Sequence, residues 1–129
     1  WIKKVMGLPV VHIGSKDIAS ADISILDIGP ADWVGFFERA KFVITNSFHG
    51  TAFSINFERQ FLFVPHCQVQ LNQRQYTLLE KVGLENRCFS AEVSEDYLDG
   101  IGHIDYKVVT PKLEEVVSDS KSFLLNSLS

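Results

Sequence analysis

The heptapeptide TNSFHGT places Thr45, Asn46, Ser47, His49, Gly50 and Thr51 side by side, and these are the residue types that an anion needs around it. Ser47 and Thr51 carry hydroxyls that donate hydrogen bonds. His49 adds a positive charge or moves a proton near neutral pH, and Gly50 lets a ligand or a neighbouring backbone approach closely. Farther along, LNQRQY supplies Asn72 and Arg74. The planar guanidinium of an arginine grips a carboxylate or phosphate through two parallel hydrogen bonds. Each residue alone has a plainer use: Ser47 as an N-cap, Gly50 as a tight turn, His49 as a structural histidine, Arg74 as a solvated cation. Their combination points to an anion site.

Such a site needs elements that hold it at a sheet edge. KFVIT, Lys41 to Thr45, has the continuous apolar centre of a strand covered on both faces, and AFSINF after Gly50 reads as helix. QFLFVP, Gln60 to Pro65, is a further strand stopped by its proline. Upstream, PVVHIG (Pro9 to Gly14) and DISILDIG (Asp22 to Gly29) are short β-branched runs. Between them and KFVIT, Pro30 opens a helix whose Trp33, Phe36, Phe37 and Ala40 recur at i, i+3, i+4 and i+7. A helix over Asn72 to Val82 ends on Gly83, and a last one runs from Pro111 to Leu128 with Leu113, Val116, Val117, Phe123 and Leu124 on an apolar side. Strands alternating with helices predict an α/β fold with a doubly wound, mainly parallel sheet. TNSFHGT then lies at the carboxyl edge, where free helix N–H groups attract anions.

A chain of 129 residues with 46% hydrophobic content reads as a single domain, residues 1–129. Its net charge of −4, with no Lys/Arg cluster, argues against nucleic acid as a partner. No apolar run approaches the roughly 18 residues of a membrane span. Cys67 and Cys88 lack CxxC spacing and the chain has no glycosylation sequon, so reduced thiols and a cytoplasmic location are expected. WIKKVMGLP reads as a helix ending, with Lys3 and Lys4 in the last turn and Gly7 as cap, which predicts that something precedes Trp1.

Several chemistries are disfavoured. Ser47 lacks the flanking glycines of a nucleophile elbow, and there is neither G-x-G-x-x-G nor a Walker lysine. His66 and Cys67 have no partners at metal-ligand spacing and read as a plain loop, and His12 and His103 read as structural or surface residues.

GPADWVGFFERAKFVITNSFHGTAFSINFERQFLFVP, continued by LNQRQYTLLEKVGLENRC and IDYKVVTPKLEE, resembles the C-terminal half of the polysaccharide pyruvyl transferase family, over roughly Gly29 to Leu125. The resemblance implies the second, Rossmann-like half of a glycosyltransferase-B-like enzyme, whose N-terminal half would be a missing partner. It further implies transfer of a pyruvate ketal from phosphoenolpyruvate to a sugar of a surface polysaccharide or its precursor, with release of phosphate and no metal or cofactor. By motif, His49 matches the family's SFHG or RLHG histidine as the catalytic candidate, and Asn72 and Arg74 match its N-x-R segment near the donor. Ser47, Gly50 and Thr51 complete the implied donor-binding set. Asn46 stands where many relatives carry Asp. One half of a cleft is expected to be inactive alone.

Two other functions fit the same elements. A nucleotide-sugar glycosyltransferase would hold a diphosphate at the same helix N-terminus and needs an acidic ribose ligand, for which Glu58 and Glu80 are undistinguished candidates. A non-catalytic binding module would use TNSFHGT only as a cap.

Overall fold

A computed structural model describes residues 2–89 and 94–129, so Trp1, the first residue of the expected helix ending, lies outside the described residues. The chain divides into two compact units, Trp1–Arg39 and Ala40–Ser129.

In the first unit a short helix α1 (Ile2–Met6) carries Lys3 and Lys4 in its last turn and is followed by Gly7 at φ 61°, the left-handed geometry expected of a cap. Strands β1 (Val11–Ile13) and β2 (Ile23–Ile25) pair in parallel with Val11 opposite Ile23 and Ile13 opposite Ile25. Asp22 fixes the entry to β2. It accepts from Lys3 Nζ at 2.8 Å and from the Val10 amide at 2.7 Å, and these bonds, the lysine's first, hold its carboxyl below the ordinary range. Helix α2 (Pro30–Arg39) begins on Pro30 as expected, and Phe37, on the face set out by the sequence period, is buried, with the Trp33 ring edge-on to it at 4.6 Å.

The second unit carries TNSFHGT. Strand β3 (Phe42–Thr45) pairs in parallel with β4 (Gln60–Phe63) in the register Phe42 to Gln60 through Thr45 to Phe63, and helix α3 (Phe48–Asn56) connects them. Among the described residues β4 also makes a single parallel bridge, Phe63 to Cys88. Helices α4 (Gln73–Val82), α5 (Glu95–Gly100) and α6 (Tyr106–Leu128) follow. Gly83 at φ 73° ends α4 as the sequence indicates. The core is Ile55, Phe61, Phe63, Leu79, Val82, Leu84, Ile104 and Val109. The apolar run of β4 is buried from Phe61 to Phe63, whereas β3, expected to be covered on both faces, leaves Ile44 exposed, so one of its faces is open.

Helix α6 begins at Tyr106, not Pro111, because Asp105 caps it by accepting from the Lys107 amide at 3.0 Å. Pro111 is therefore an interior residue that forgoes one helix bond. Tyr106 anchors this start by donating from its hydroxyl to the carbonyls of Ser54 and Arg59, and its burial pushes the phenol well above the ordinary tyrosine range. The Gln60 amide brackets Ile104, accepting from its N–H at 2.7 Å and donating to its carbonyl at 3.3 Å.

The mixed α/β character and the parallel pairing agree with the sequence. The doubly wound sheet does not appear among the described residues, which form two separate two-stranded sheets. The strands are only three or four residues long, since polar and turn residues interrupt each apolar run, and such short ladders offer few edges for further pairing.

Candidate functional site

The link from β3 to α3 is shorter than the run of polar residues suggests. Thr45 is the last strand residue, Phe48 is already helical, and only Asn46 and Ser47 lie between. Ser47 is the N-cap, accepting through Oγ from the Gly50 amide at 3.3 Å. Thr51 donates both its amide and its hydroxyl to the Ser47 carbonyl, each at 3.0 Å. Thr45 Oγ1 accepts from the Ser47 amide at 3.1 Å. The polar side chains thus first satisfy the backbone of their own turn.

Gly50 is required by close packing on the strand. A Cβ at that position would sit 2.1 Å from Thr45 Oγ1 and 2.9 Å from Thr45 Cβ, so the glycine's open space is filled by Thr45. Thr51 is fully buried, and beside it Ser54 donates to the Gly50 carbonyl at 2.7 Å. Gly50 and Thr51 are therefore supports beneath the turn, and their amides are already engaged. By helix geometry the amides of Phe48 and His49 have no intrahelical acceptor. The Ser47 hydroxyl keeps its own hydrogen for a further bond.

His49 is exposed, and its ring meets the Phe48 ring edge-on at 5.9 Å. Arg74, in the first turn of α4, lays its guanidinium over the same Phe48 ring with Cζ 4.7 Å from the centroid. Phe48 thus joins two residues that lie far apart in sequence. The sequence offered no polar signal for it, since its role is that of an apolar platform between Ser47 and His49.

Asn72 has a different place. It is 1% exposed, and its amide is engaged with the loop after β4, accepting from the His66 N–H at 2.8 Å and donating to the carbonyls of His66 at 2.8 Å and Gln68 at 3.5 Å. It shapes the loop that leads to Arg74. That loop leaves β4 beside the turn, because the Val64 amide donates to the Thr45 carbonyl at 2.8 Å. Ser47 and His49 therefore lie at the carboxyl edge of the β3–β4 pair and the Phe48 ring links Arg74 to them, while Gly50, Thr51 and Asn72 hold the turn and the loop.

Burial pushes the Cys88 thiol up, away from the thiolate form, and Cys67 is exposed. Among the described residues no three His, Cys, Asp or Glu side chains cluster as metal ligands, and no helix is long and apolar enough to cross a membrane.

A family model described as polysaccharide pyruvyl transferase matches residues 2–68. The match begins well before Gly29, so the first unit is part of it, and it includes the whole β3–α3 turn while ending short of Asn72 and Arg74. No curated protein and no solved structure matches the chain.

Proposed function

The chain belongs to the polysaccharide pyruvyl transferase family, and from that premise we propose that it takes part in moving a pyruvate ketal from phosphoenolpyruvate to a sugar of a surface polysaccharide or its precursor. The observation that carries the donor assignment is the shared platform, with His49 and Arg74 both against Phe48 at the N-terminus of α3. Phosphoenolpyruvate bears a phosphate and a carboxylate. The first-turn amides of Phe48 and His49, the Ser47 hydroxyl and the Arg74 fork together offer the donors that two anionic groups need. Gly50, Thr51 and Asn72 serve binding by holding those donors in place.

The reaction needs two proton movements. A proton added to the methylene carbon makes the neighbouring carbon electrophilic, one sugar hydroxyl attacks it, and a second hydroxyl displaces phosphate to close the ketal. One hydroxyl proton replaces the proton that became part of the new methyl group, and the other leaves with phosphate. His49 is the residue to which this reading assigns a proton transfer in the sequence. In this reading the chain contributes the donor-binding, Rossmann-like half of a glycosyltransferase-B-like enzyme working in the cytoplasm, and a second half supplies the rest of the acceptor site. No metal is called for.

Incubating the enzyme that contains this chain with phosphoenolpyruvate and a glycan acceptor should release inorganic phosphate and leave a pyruvylated acceptor detectable by mass spectrometry. Consumption of a nucleotide sugar in place of phosphoenolpyruvate would instead make the protein a glycosyltransferase. Residues 1–129 alone should show no turnover, and turnover by them would refute the two-half reading.

A further inference from the structure

We propose that His66 is a second imidazole of the donor site, a neutral hydrogen-bond donor that binds the phosphate of phosphoenolpyruvate through Nε2–H; the proposal rests on the donor-site reading above. In sequence His66 is one residue of a plain loop beside an exposed cysteine. The structure fixes it at three points. Asn72, itself 1% exposed, holds the His66 N–H and the His66 carbonyl, each at 2.8 Å, so one buried amide sets both peptide groups of an exposed residue. The ring is held as well, since the Gln68 amide donates to Nδ1 at 3.1 Å. Cys67 Sγ lies 3.7 Å from the same nitrogen.

A nitrogen that accepts a hydrogen bond carries no proton, so the neutral ring keeps its hydrogen on Nε2, on the far side of the ring from the loop's own bonds. A doubly protonated ring would forfeit the Gln68 bond. His66 is thereby shaped to donate one hydrogen bond, whereas the His49 ring meets Phe48 edge-on.

The position follows from the flanking anchors. Val64 is bonded to the Thr45 carbonyl at the start of the β3–α3 turn, and two residues of chain span at most about 7 Å. On the other flank Asn72 stands two residues before Arg74, whose guanidinium lies on Phe48. His66 is bracketed by the segments that carry His49 and Arg74. An arginine fork satisfies two anionic oxygens, and phosphoenolpyruvate has more than that to satisfy.

Long-range nitrogen–proton NMR spectra of the isotope-labelled chain test this, with His66→Gln and His49→Gln assigning the two rings. His66 is expected to show a protonated Nε2 and a bare Nδ1, with its Nε2 resonance moving on addition of phosphoenolpyruvate and of inorganic phosphate. A proton on Nδ1, or a His66 ring that stays still while that of His49 moves, overturns the role of His66 and leaves the donor site standing. If both rings stay still, the donor-site reading falls and this proposal with it. In the active enzyme His66→Gln should raise KM for phosphoenolpyruvate about tenfold with kcat nearly unchanged, and a loss confined to kcat would overturn the binding role.

Discussion

Two polar segments leave the same edge of the β3–β4 pair, and they are stabilised in different ways. The turn from β3 to α3 is held by bonds reaching no more than four residues, Thr45 to Ser47, Ser47 to Gly50 and Thr51 to Ser47, and by a glycine pressed against a strand threonine. The loop from β4 to α4 is held by one buried amide, Asn72, that reaches back six residues to His66. The first is a steric fit with local caps, and the second is a polar clamp. Steric fits fail when volume is added, whereas clamps fail when a partner is removed and buried groups lose their bonds.

The largest effect should come from a residue that neither device uses for folding. His49→Ala removes an exposed ring, so the thermal midpoint should barely change, while turnover with phosphoenolpyruvate falls about 10²- to 10⁴-fold if the ring transfers a proton. Near-normal turnover would return the turn to the status of a helix cap.

Gly50→Ala attacks the steric fit. With a Cβ 2.1 Å from Thr45 Oγ1, the substitution should cost about 1–3 kcal/mol in denaturant unfolding, the usual range for overpacking. Adding Thr45→Ala removes that oxygen and should recover part of the loss, though not all, because Thr45 Cβ itself would still lie 2.9 Å away. No recovery in the double variant would mean that the glycine is needed for something other than the strand contact.

Asn72→Ala attacks the clamp. It strips the His66 N–H and carbonyl of their partner, and each peptide group regains solvent only if the loop opens. The expected cost is about 1–2 kcal/mol, below the steric effect because an exposed loop can rehydrate. Limited proteolysis should show new cleavage near residues 66–68, and an unchanged cleavage pattern would argue that the loop is held by its 3-10 turn, Val69–Asn72, and not by the amide.

Much of this edge was legible in sequence, because local rules produced it. KFVIT, Pro30, Gly83 and the TNSFHGT turn all sit where strand periodicity, first-turn proline, left-handed glycine and N-cap chemistry place them. What escaped was decided at long range or by shape. The start of α6 moved from Pro111 to Tyr106 because Asp105 caps it and Tyr106 is anchored to Ser54 and Arg59, contacts about fifty residues apart that no window of sequence contains. The continuous sheet was inferred from alternation alone, which gives element order without strand length. Gly50 and Thr51 stand out in the sequence as candidate anion ligands, yet the packing of Gly50 against Thr45 and the burial of Thr51 are visible only in the folded chain. His66 and Phe48 carried no motif of their own. Their roles come from Asn72 and Arg74, and only the folded chain brings those pairs together.

The smallest effect should separate the two segments at their one meeting point. Arg74 belongs to the clamp side and Phe48 to the steric side, and the guanidinium lies over the ring with Cζ 4.7 Å from its centroid. Arg74→Lys keeps the charge but loses the paired donors and most of the stacking, and at an exposed site the cation–π part is worth about 0.5–1 kcal/mol. Folding stability should therefore change by no more than about 0.5 kcal/mol, as surface substitutions usually do. Donor affinity should respond more, with KM for phosphoenolpyruvate rising about three- to tenfold while KM for the glycan acceptor stays level. Phe48→Leu should move donor KM in the same direction by a smaller factor, because it withdraws the platform and leaves the guanidinium its fork. An acceptor KM that rises as far as the donor's in either variant would detach Arg74 from the donor and break the link between the two segments.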